Sequence, residues 1–595
     1  MFVRASLNGV VREAVIAAVL TALMILLFLG SWRTTLIVAL SIPLAILCSI
    51  IALGALHQTI NVMTLGGLAL AVGILVDDAT VAIENIHRNA QLGKPLLEAI
   101  LDGAQQIAVP TFVSTLSICV VFVPVFFLTG AAGSLFAPLA IAVIFAMMAS
   151  YIISRTLVPT LVRFAMEREH GRSQPAWLER VTTGFERRFD AFKTRYAEML
   201  EGALAHRRPV VLAFASLVVF SALLLPFIGE DFFPVVDAGQ IRLHMRAPPG
   251  TRLEETEQIA AAVEKTVHAV LPAGEVQTIL DNIGIATGGT NLAFSDNPTI
   301  GTADAELLMT LAPDRKMATA DVVATLRKDL RADYPGITFF FQNADIVGQI
   351  LNFGLPAPID IQVIGQNKVA NFATARAIAS KVTRVRGAVD VHVHQVMNAP
   401  DLLFKVDRLR AQAMGLTQRD VANDLLVSVS SSGVVSPNFW INPANGVNYP
   451  LAVQTPQAQL STMDELRSTP IASDAGPELL SNVATMERRS QMAVVSHYNV
   501  QPVFDIYSNV QGRDLGGVAS DIDRIVAAAR PTLVKGSTIV MRGQVQSMRS
   551  SFLGLGVGLA FAILLVYLLM VINFQSWTDP LIIIMALPPA LAGIA

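Results

Sequence analysis

Seven apolar stretches, at 11–29, 36–56, 62–86, 107–128, 134–159, 209–228 and 551–572, are each long enough for a helix that crosses a bilayer. Such a helix takes about 20 mostly apolar residues. An eighth stretch begins near Leu581 and is still apolar at Ala595. From 229 to 550 the pattern changes to short alternating and helically spaced segments of the kind found in soluble proteins. The chain therefore reads as a membrane-embedded protein with one large aqueous insertion.

Within the insertion, 240–246 alternates as a strand, Pro248-Pro249-Gly250 turns, and 253–270 has helical apolar spacing. Segments 276–283 and 305–311 read as strands, 318–330 as a helix and 337–341 as a strand. A second set opens with a strand at 359–364, a helix through 370–385 and strands at 388–393 and 402–406. A strand at 503–507, a helix at 515–529 and a strand at 538–541 complete it. Two such sets of β-α-β units predict two ferredoxin-like sandwiches. About 410–495 is then an insert in the second, with a helix at 418–426 and a hairpin around Asn442-Pro443-Ala444-Asn445-Gly446. Phe339-Phe340-Phe341 reads as core packing. His392 and His394 fall on one face of a strand with no third ligand, and read as a surface pair.

Composition sharpens this division. Hydrophobic residues make up 53 % and charged residues 15 %, with mean hydropathy +0.55. Soluble domains carry nearer about 25 % charge, so disorder and an ordinary cytosolic enzyme are both excluded. A net charge of −3 gives no reason to expect nucleic acid. Cys48 and Cys119 sit in apolar runs and suggest neither a disulfide nor a metal site. Lys and Arg gather in the connections 163–208 and 85–106, and the loops 57–61 and 129–133 have none. Basic connections face the cytoplasm, which puts 229–550 on the opposite side. The 163–208 connection is either an amphipathic helix on the membrane surface or a solvated linker.

The sharpest chemistry lies in the stretch 62–86, which contains Gly66-Gly67, then Gly73-Ile74-Leu75-Val76-Asp77-Asp78-Ala79-Thr80, then Glu84-Asn85. Asp77 stands about 22–24 Å from the Val62 end at 1.5 Å per residue. An acid at the centre of a membrane helix costs about 2.5–3.5 kcal/mol, and two adjacent charges repel. Relief comes from a proton or from a cation, and a group that alternates between the two is a proton carrier. Asp77 and Asp78 are the expected relay. Glu84, seven residues after Asp77, shares its face and is either an interfacial acid or a support to the relay. Gly66, Gly67 and Gly73 suit close helix packing. Arg155, near a helix end, reads as a snorkelling side chain, so the cationic partner is expected from outside this chain.

An internal repeat supports that expectation. Trp32 and Trp577, Pro43 and Pro588, and Ala45 and Ala590 share one offset without a gap. A second copy of the 62–86 helix would lie beyond Ala595, and the last apolar run is too short to cross. The chain reads as a portion of a longer protein. No G-x-x-x-x-G-K-[S/T] loop is present, which leaves a proton gradient as the simplest driver. Gly554-x-Gly556-x-Gly558 lies inside an apolar helix and reads as packing.

These residues resemble the resistance–nodulation–division (RND) transporters, in particular their hydrophobic and amphiphilic efflux branch. Gly73–Asn85 matches the signature of that branch's fourth helix with its double Asp. Phe122-Val123-Pro124 with Thr129-Gly130 is similar to the end of the fifth helix, and Thr156-Leu157-Val158-Pro159-Thr160-Leu161 to the sixth. Lys405-Val406-Asp407-Arg408 with Gly415-Leu416-Thr417 resembles the start of the docking region. The resemblance implies a polytopic α-helical membrane protein with a periplasmic α+β insertion, half of a two-repeat architecture. It implies helices two to six in 1–162, a cytoplasmic connection in 163–208 and helix seven in 209–228. A periplasmic porter and docking region follows in 229–550, then helices eight and nine in 551–595.

The resemblance also implies drug/proton antiport of hydrophobic or amphiphilic compounds, with protons as the coupling ion and no other cofactor. The setting would be a homotrimer in the bacterial inner membrane, joined to a periplasmic adaptor and an outer-membrane channel. Lacking half of that architecture, the chain by itself is not expected to transport. Phe294 falls in the family's flexible loop and is either a substrate contact or a plain surface residue. Two other readings stand beside this one. A heavy-metal exporter of the same architecture would use soft Met ligands, yet Met397, Met414, Met486 and Met492 are scattered. A non-pumping export or lipid-transport accessory of the same fold is the other. No catalytic or metal constellation stands out, so an enzyme is the least expected class.

Overall fold

The computed structural model describes residues 12, 15–16, 18–27, 32–128, 130–167, 176–224, 227–233, 237–284, 299–352, 354–473 and 476–594. Among them six helices are long and apolar enough to cross a membrane. After a short apolar helix, Ala18–Leu27, the bundle continues with α1 (Trp32–Ala55), α2 (Val62–Gln91), α3 (Leu96–Gln106), α4 (Ala108–Val121) and α5 (Gly130–Glu167). The surface helix α6 (Ala176–Ala205) leads into α7 (Arg207–Leu224). Most of the apolar surface of these helices stays exposed, as a lipid-facing surface must.

Helix α2 starts at a capping box. Asn61 Oδ1 accepts from the backbone of Met63 and Thr64, both at 2.9 Å, and Thr64 Oγ1 accepts from Asn61 N at 2.8 Å. Its buried stripe of Leu68, Ala71, Val72, Leu75, Ala79, Ala82 and Ile86 packs against α1, α3 and α5. At Gly67 a Cβ would stand 2.6 Å from Leu139 O, so only glycine lets α2 and α5 approach this closely. Gly66 and Gly73 have nothing within 4 Å of such a Cβ. Of the three, Gly67 alone lies against another helix among the described contacts.

The aqueous region holds two α/β units. In the first, β1 (Gln240–Arg246), α8 (Leu253–Val270), β2 (Val276–Ile283), β3 (Asp304–Leu311), α9 (Thr319–Asp333) and β4 (Thr338–Gln342) form an antiparallel sheet ordered β2-β3-β1-β4. Alternate residues Ile241, Leu243 and Met245 of β1 face the two helices, where Val263, Val267, Leu326 and Leu330 close the core. The second unit repeats the plan with β5 (Ile359–Ile364), α10 (Lys368–Val382) and β6 (Ala388–Val393). After β7 (Ala399–Val406) comes the insert, which holds the hairpin β8 (Asn438–Ile441) and β9 (Asn448–Leu451) and ends with β10 (Ala484–Gln491). The unit closes with β11 (Gln501–Val510), α11 (Leu515–Ala529) and β12 (Thr538–Gly543). Its sheet runs β6-β11-β5-β12, the order of the first, with the short strand Ser496–Tyr498 also paired to β11. Both units are ferredoxin-like.

One strand goes elsewhere than its sequence suggests. The segment 402–406, expected in the second sheet, belongs to β7, which pairs antiparallel with β10 in a separate two-stranded ribbon. That ribbon carries the insert, whose own core is Ala411, Leu416, Val421, Ile471, Leu480 and Val483. Helix α12 (Gln544–Phe574) then returns to the bundle. Its Gly558 lies against Pro124, where a Cβ would approach to 2.6 Å, and Gly554 lies near Phe127 O. The Trp32 copy opens one continuous helix. The Trp577 copy precedes two short helices, Asp579–Ile584 and Leu587–Ile594.

The two α/β units meet edge to edge at β4 and β6. Arg327 of α9 makes a bidentate pair with Asp390 of β6, which also accepts from Phe341 N at 3.2 Å. A row of rings crosses this seam: His244 to Phe340 at 4.3 Å, Phe340 to His392 at 3.9 Å and His392 to Tyr507 at 5.7 Å between centroids. His392 and His394 are thus not the surface pair their alternation suggests. Burial pushes both imidazoles down to about 3. Phe340 likewise leaves the helix-facing core, where Phe339 and Phe341 remain.

Candidate functional site

The two adjacent acids of α2 have opposite surroundings. One residue along a helix is a turn of about 100°, so Asp78 lies on the buried stripe at 6 % exposure while Asp77 points away from this chain's other helices. Glu84 is exposed on the same outward face as Asp77, two turns on. Gly66 and Gly73 stand on the open side as well. Phe294 lies outside the described residues.

Two residues not singled out in the sequence, Thr115 and Ser150, surround Asp78 together with Arg155. Thr115 Oγ1, on α4, lies 3.3 Å from Asp78 Oδ1 and donates to Thr111 O at 2.8 Å. Ser150 of α5 donates to Leu75 O at 3.1 Å, tying α5 to α2 one turn before the acid. Arg155, also on α5, donates from Nη1 to Ala104 O at 3.2 Å and from Nη2 to Thr111 Oγ1 at 2.7 Å. Its guanidinium lies 5.6 Å from the Tyr151 ring centroid. Arg155 therefore turns into the bundle, where the sequence suggests snorkelling. The hint was present: a cation inside a predicted span, and threonines at i and i+4 on an apolar helix.

This site can hold a proton in a place shielded from water. A carboxyl among Thr115, Ser150 and apolar α2 neighbours is costly when charged and unpaired, and loses that cost on protonation. Among the described residues no group of three or more His, Cys, Asp or Glu is placed to hold a metal ion.

The model of the AcrB/AcrD/AcrF family matches residues 1–594. The chain belongs to the AcrB/AcrD/AcrF family. This family of RND permeases accounts for the observed half-architecture of bundle helices and paired ferredoxin-like units. Relatives include the cation efflux system protein CzcA of Alcaligenes sp. (strain CT14), 27 % identical over 97 % of this chain and 54 % of its own length. The multidrug resistance protein MdtC of Pectobacterium atrosepticum is also 27 % identical, over 99 % of this chain and 55 % of its own length. A solved heavy-metal efflux pump superposes with a TM-score of 0.78 over 99 % of this chain and 56 % of its own, at 23 % identity, and shares the fold. The chain spans about half the length of the curated relatives it matches.

Proposed function

We propose that this chain forms half of a proton-driven RND efflux permease of the bacterial inner membrane, with 229–550 in the periplasm. The observation that carries the reading is Asp78, a carboxyl buried in a membrane-spanning helix beside Thr115 and near Arg155. Asp78 takes a proton from one side of the membrane and releases it to the other, and Asp77 and Glu84 on the outward face extend the path. Each change of charge alters what the bundle around α2 must satisfy, and α12 and α7 link that bundle to the aqueous units. The Lys and Arg of the connections 163–208 and 85–106 support a cytoplasm opposite those units.

The cargo in this reading is a hydrophobic or amphiphilic compound, carried by a homotrimer working with a periplasmic adaptor and an outer-membrane channel. A likeness to MdtC, a multidrug resistance protein, supports it. A second reading, export of a divalent metal cation, is favoured by the likeness to CzcA. The test is transport by the full-length permease in an efflux-deficient bacterium. Dye efflux should occur with the native sequence and stop with Asp77→Asn and with Asp78→Asn. Native-rate efflux in both variants sinks the proton relay. Zinc or cobalt resistance without dye efflux transfers the reading to the metal cation.

A further inference from the structure

The second α/β unit carries two acids that the membrane relay does not use. Asp360 of β5 and Asp505 of β11 alternate with the core residues Ile359, Ile361, Phe504 and Ile506, and so lie on the sheet face away from α10 and α11. That face is covered too: the two acids are 0 % and 5 % exposed. One amide joins them, since Gln362 Nε2 donates to Asp360 Oδ2 at 2.8 Å and to Asp505 Oδ1 at 3.1 Å. The other oxygen of Asp360, Oδ1, is buried without a partner among the described residues. Asp505 Oδ2 has one, Gln395 Nε2 at 2.6 Å. Gln395 stands where the chain leaves the unit for β7, and Ser496 where it returns from β10. Gln395 Oε1 accepts from Asp505 N at 2.9 Å, and Nε2 also reaches Ser496 Oγ at 3.0 Å. Arg542 of β12 donates from Nε to Gln362 Oε1 at 2.8 Å and lies 3.9 Å from the Tyr498 ring centroid. Both stalks of the insert are thus fastened to the carboxyl pair.

Two buried carboxyls on either side of one amide do not both stay ionised, because burial disfavours each charge and each charge disfavours the other. Burial and the charge of Asp505 push the Asp360 carboxyl well above the usual carboxylate range. Burial raises Asp505 as well, against the lowering effect of its bonds from Gln395 and Gln362. With two donors to serve it, Asp505 keeps the charge, and Asp360 keeps the proton. The cation acting on Asp360 is Arg542, which is spent on Gln362 and Tyr498. Tyr507, His392 and His394 line the same face, and burial keeps all three uncharged near neutral pH. Arg246 of β1, which reaches this face at His394 O, is paired with Asp304 at 2.6 Å. Asp360 is enclosed by this chain alone, so a segment outside the chain reaches that carboxyl only if the face opens.

We propose that Asp360 and Asp505 share a single proton that fastens the insert to the second α/β unit, a latch that lets go when the medium around that unit turns alkaline. The proton leaves Asp360 for water, and no covalent bond other than that O–H breaks. Oδ1 then needs a donor. Arg542, opposite Asp360 in the β5–β12 register, turns to it from Gln362 and Tyr498. The strand Ser496–Tyr498 loses its cover, and the insert moves more freely on β7 and β10. A carboxyl with raised proton affinity gives a hold that is full in acid and is lost as pH climbs through its titration. The latch is independent of the reading of Asp78.

The experiment is amide hydrogen exchange on the full-length permease in detergent from about pH 6 to about pH 9, corrected for intrinsic rates. Protection in Ser496–Tyr498 should fall at least about tenfold across that range in the native protein, the ratio that one unit of proton affinity gives. It should stay level in Asp360→Asn, which is neutral at every pH. Gln395→Met cuts the fastening and should leave protection low throughout. A difference infrared spectrum at neutral pH, native minus Asp360→Asn, should show a protonated carboxyl. Level protection in the native protein overturns the latch. So does a native slope kept in Asp360→Asn, or kept in Gln395→Met should the asparagine variant fail to fold. A spectrum without the protonated carboxyl overturns the shared proton. Transport through Asp78 enters none of these readings, so the two ideas fail separately.

Discussion

Asp390 and Arg327 hold the two α/β units together through a two-pronged ion pair, Nε to Oδ1 at 2.7 Å and Nη2 to Oδ2 at 2.8 Å. Asp390 does this from a left-handed backbone, φ 55°, at the irregularity where β6 pairs with β11. It also accepts from Asn509 Nδ2 at 2.9 Å, so one carboxylate serves α9, β4 and β11. Asp and Asn tolerate this conformation better than other residues with a Cβ.

Asp390→Ala should therefore destabilise the aqueous region by about 3–5 kcal/mol, because it leaves a buried guanidinium without its partner. Asp390→Asn should cost less, since it keeps an acceptor for Phe341 N and the backbone preference. Thermal unfolding of the purified permease checks the order. Equal melting temperatures for the two variants would contradict it.

The seam should also respond to acid. Burial holds the His244 imidazole down at about 4, against the raising effect of its hydrogen bond to Asp304, which measures 3.3 Å. The unfolded chain takes up a proton near 6.5 and the native seam does not. His244 therefore contributes stability that is full above pH 6.5 and is lost as pH falls toward 4, roughly 3 kcal/mol in all. Hydrogen exchange in β1 and β4, corrected for intrinsic rates, should rise through that window. His244→Gln should reduce the rise, and His392 and His394, held down to about 3 in the same seam, should keep the rest of it.

Helix packing gives a contrast of neighbouring glycines. Gly67→Ala drives a methyl into Leu139 O and should cost about 1–3 kcal/mol. In this half of the architecture Gly66→Ala meets nothing and should not loosen α2 from α5. Cross-linking between α2 and α5 in detergent is the measurement.

Thr115 supplies a hydroxyl 3.3 Å from Asp78 Oδ1. Thr115→Val keeps the shape and removes that partner, worth about 1.5–3 kcal/mol when the acid is charged. Transport should fall at least about tenfold, and Thr115→Ser should recover most of it. Loss in the serine variant as severe as in valine would point to packing instead.

Much of this molecule is legible along the chain. The run from Val62 and the strands Gln240–Arg246, Val276–Ile283, Ile359–Ile364 and Ala388–Val393 stand where apolar periodicity predicts them. Local side-chain pattern and backbone preference are enough to decide such elements. Periodicity does not name a partner, and so 402–406 joins Ala484–Gln491, some eighty residues away, instead of the nearer sheet.

The chemistry divides in the same way. Residue order alone puts two carboxyls in an apolar span and so determines that this helix must manage a charge in lipid. Which carboxyl is enclosed depends on the faces that α4 and α5 cover, and only their packing decides that Asp78 meets Thr115 while Asp77 looks outward. The same holds for Arg155 and for His392. Each is an ordinary surface candidate on its own element, and each has a nitrogen enclosed because a distant segment closes over it. Burial is a property of two surfaces meeting, and one strand or helix carries only one of them.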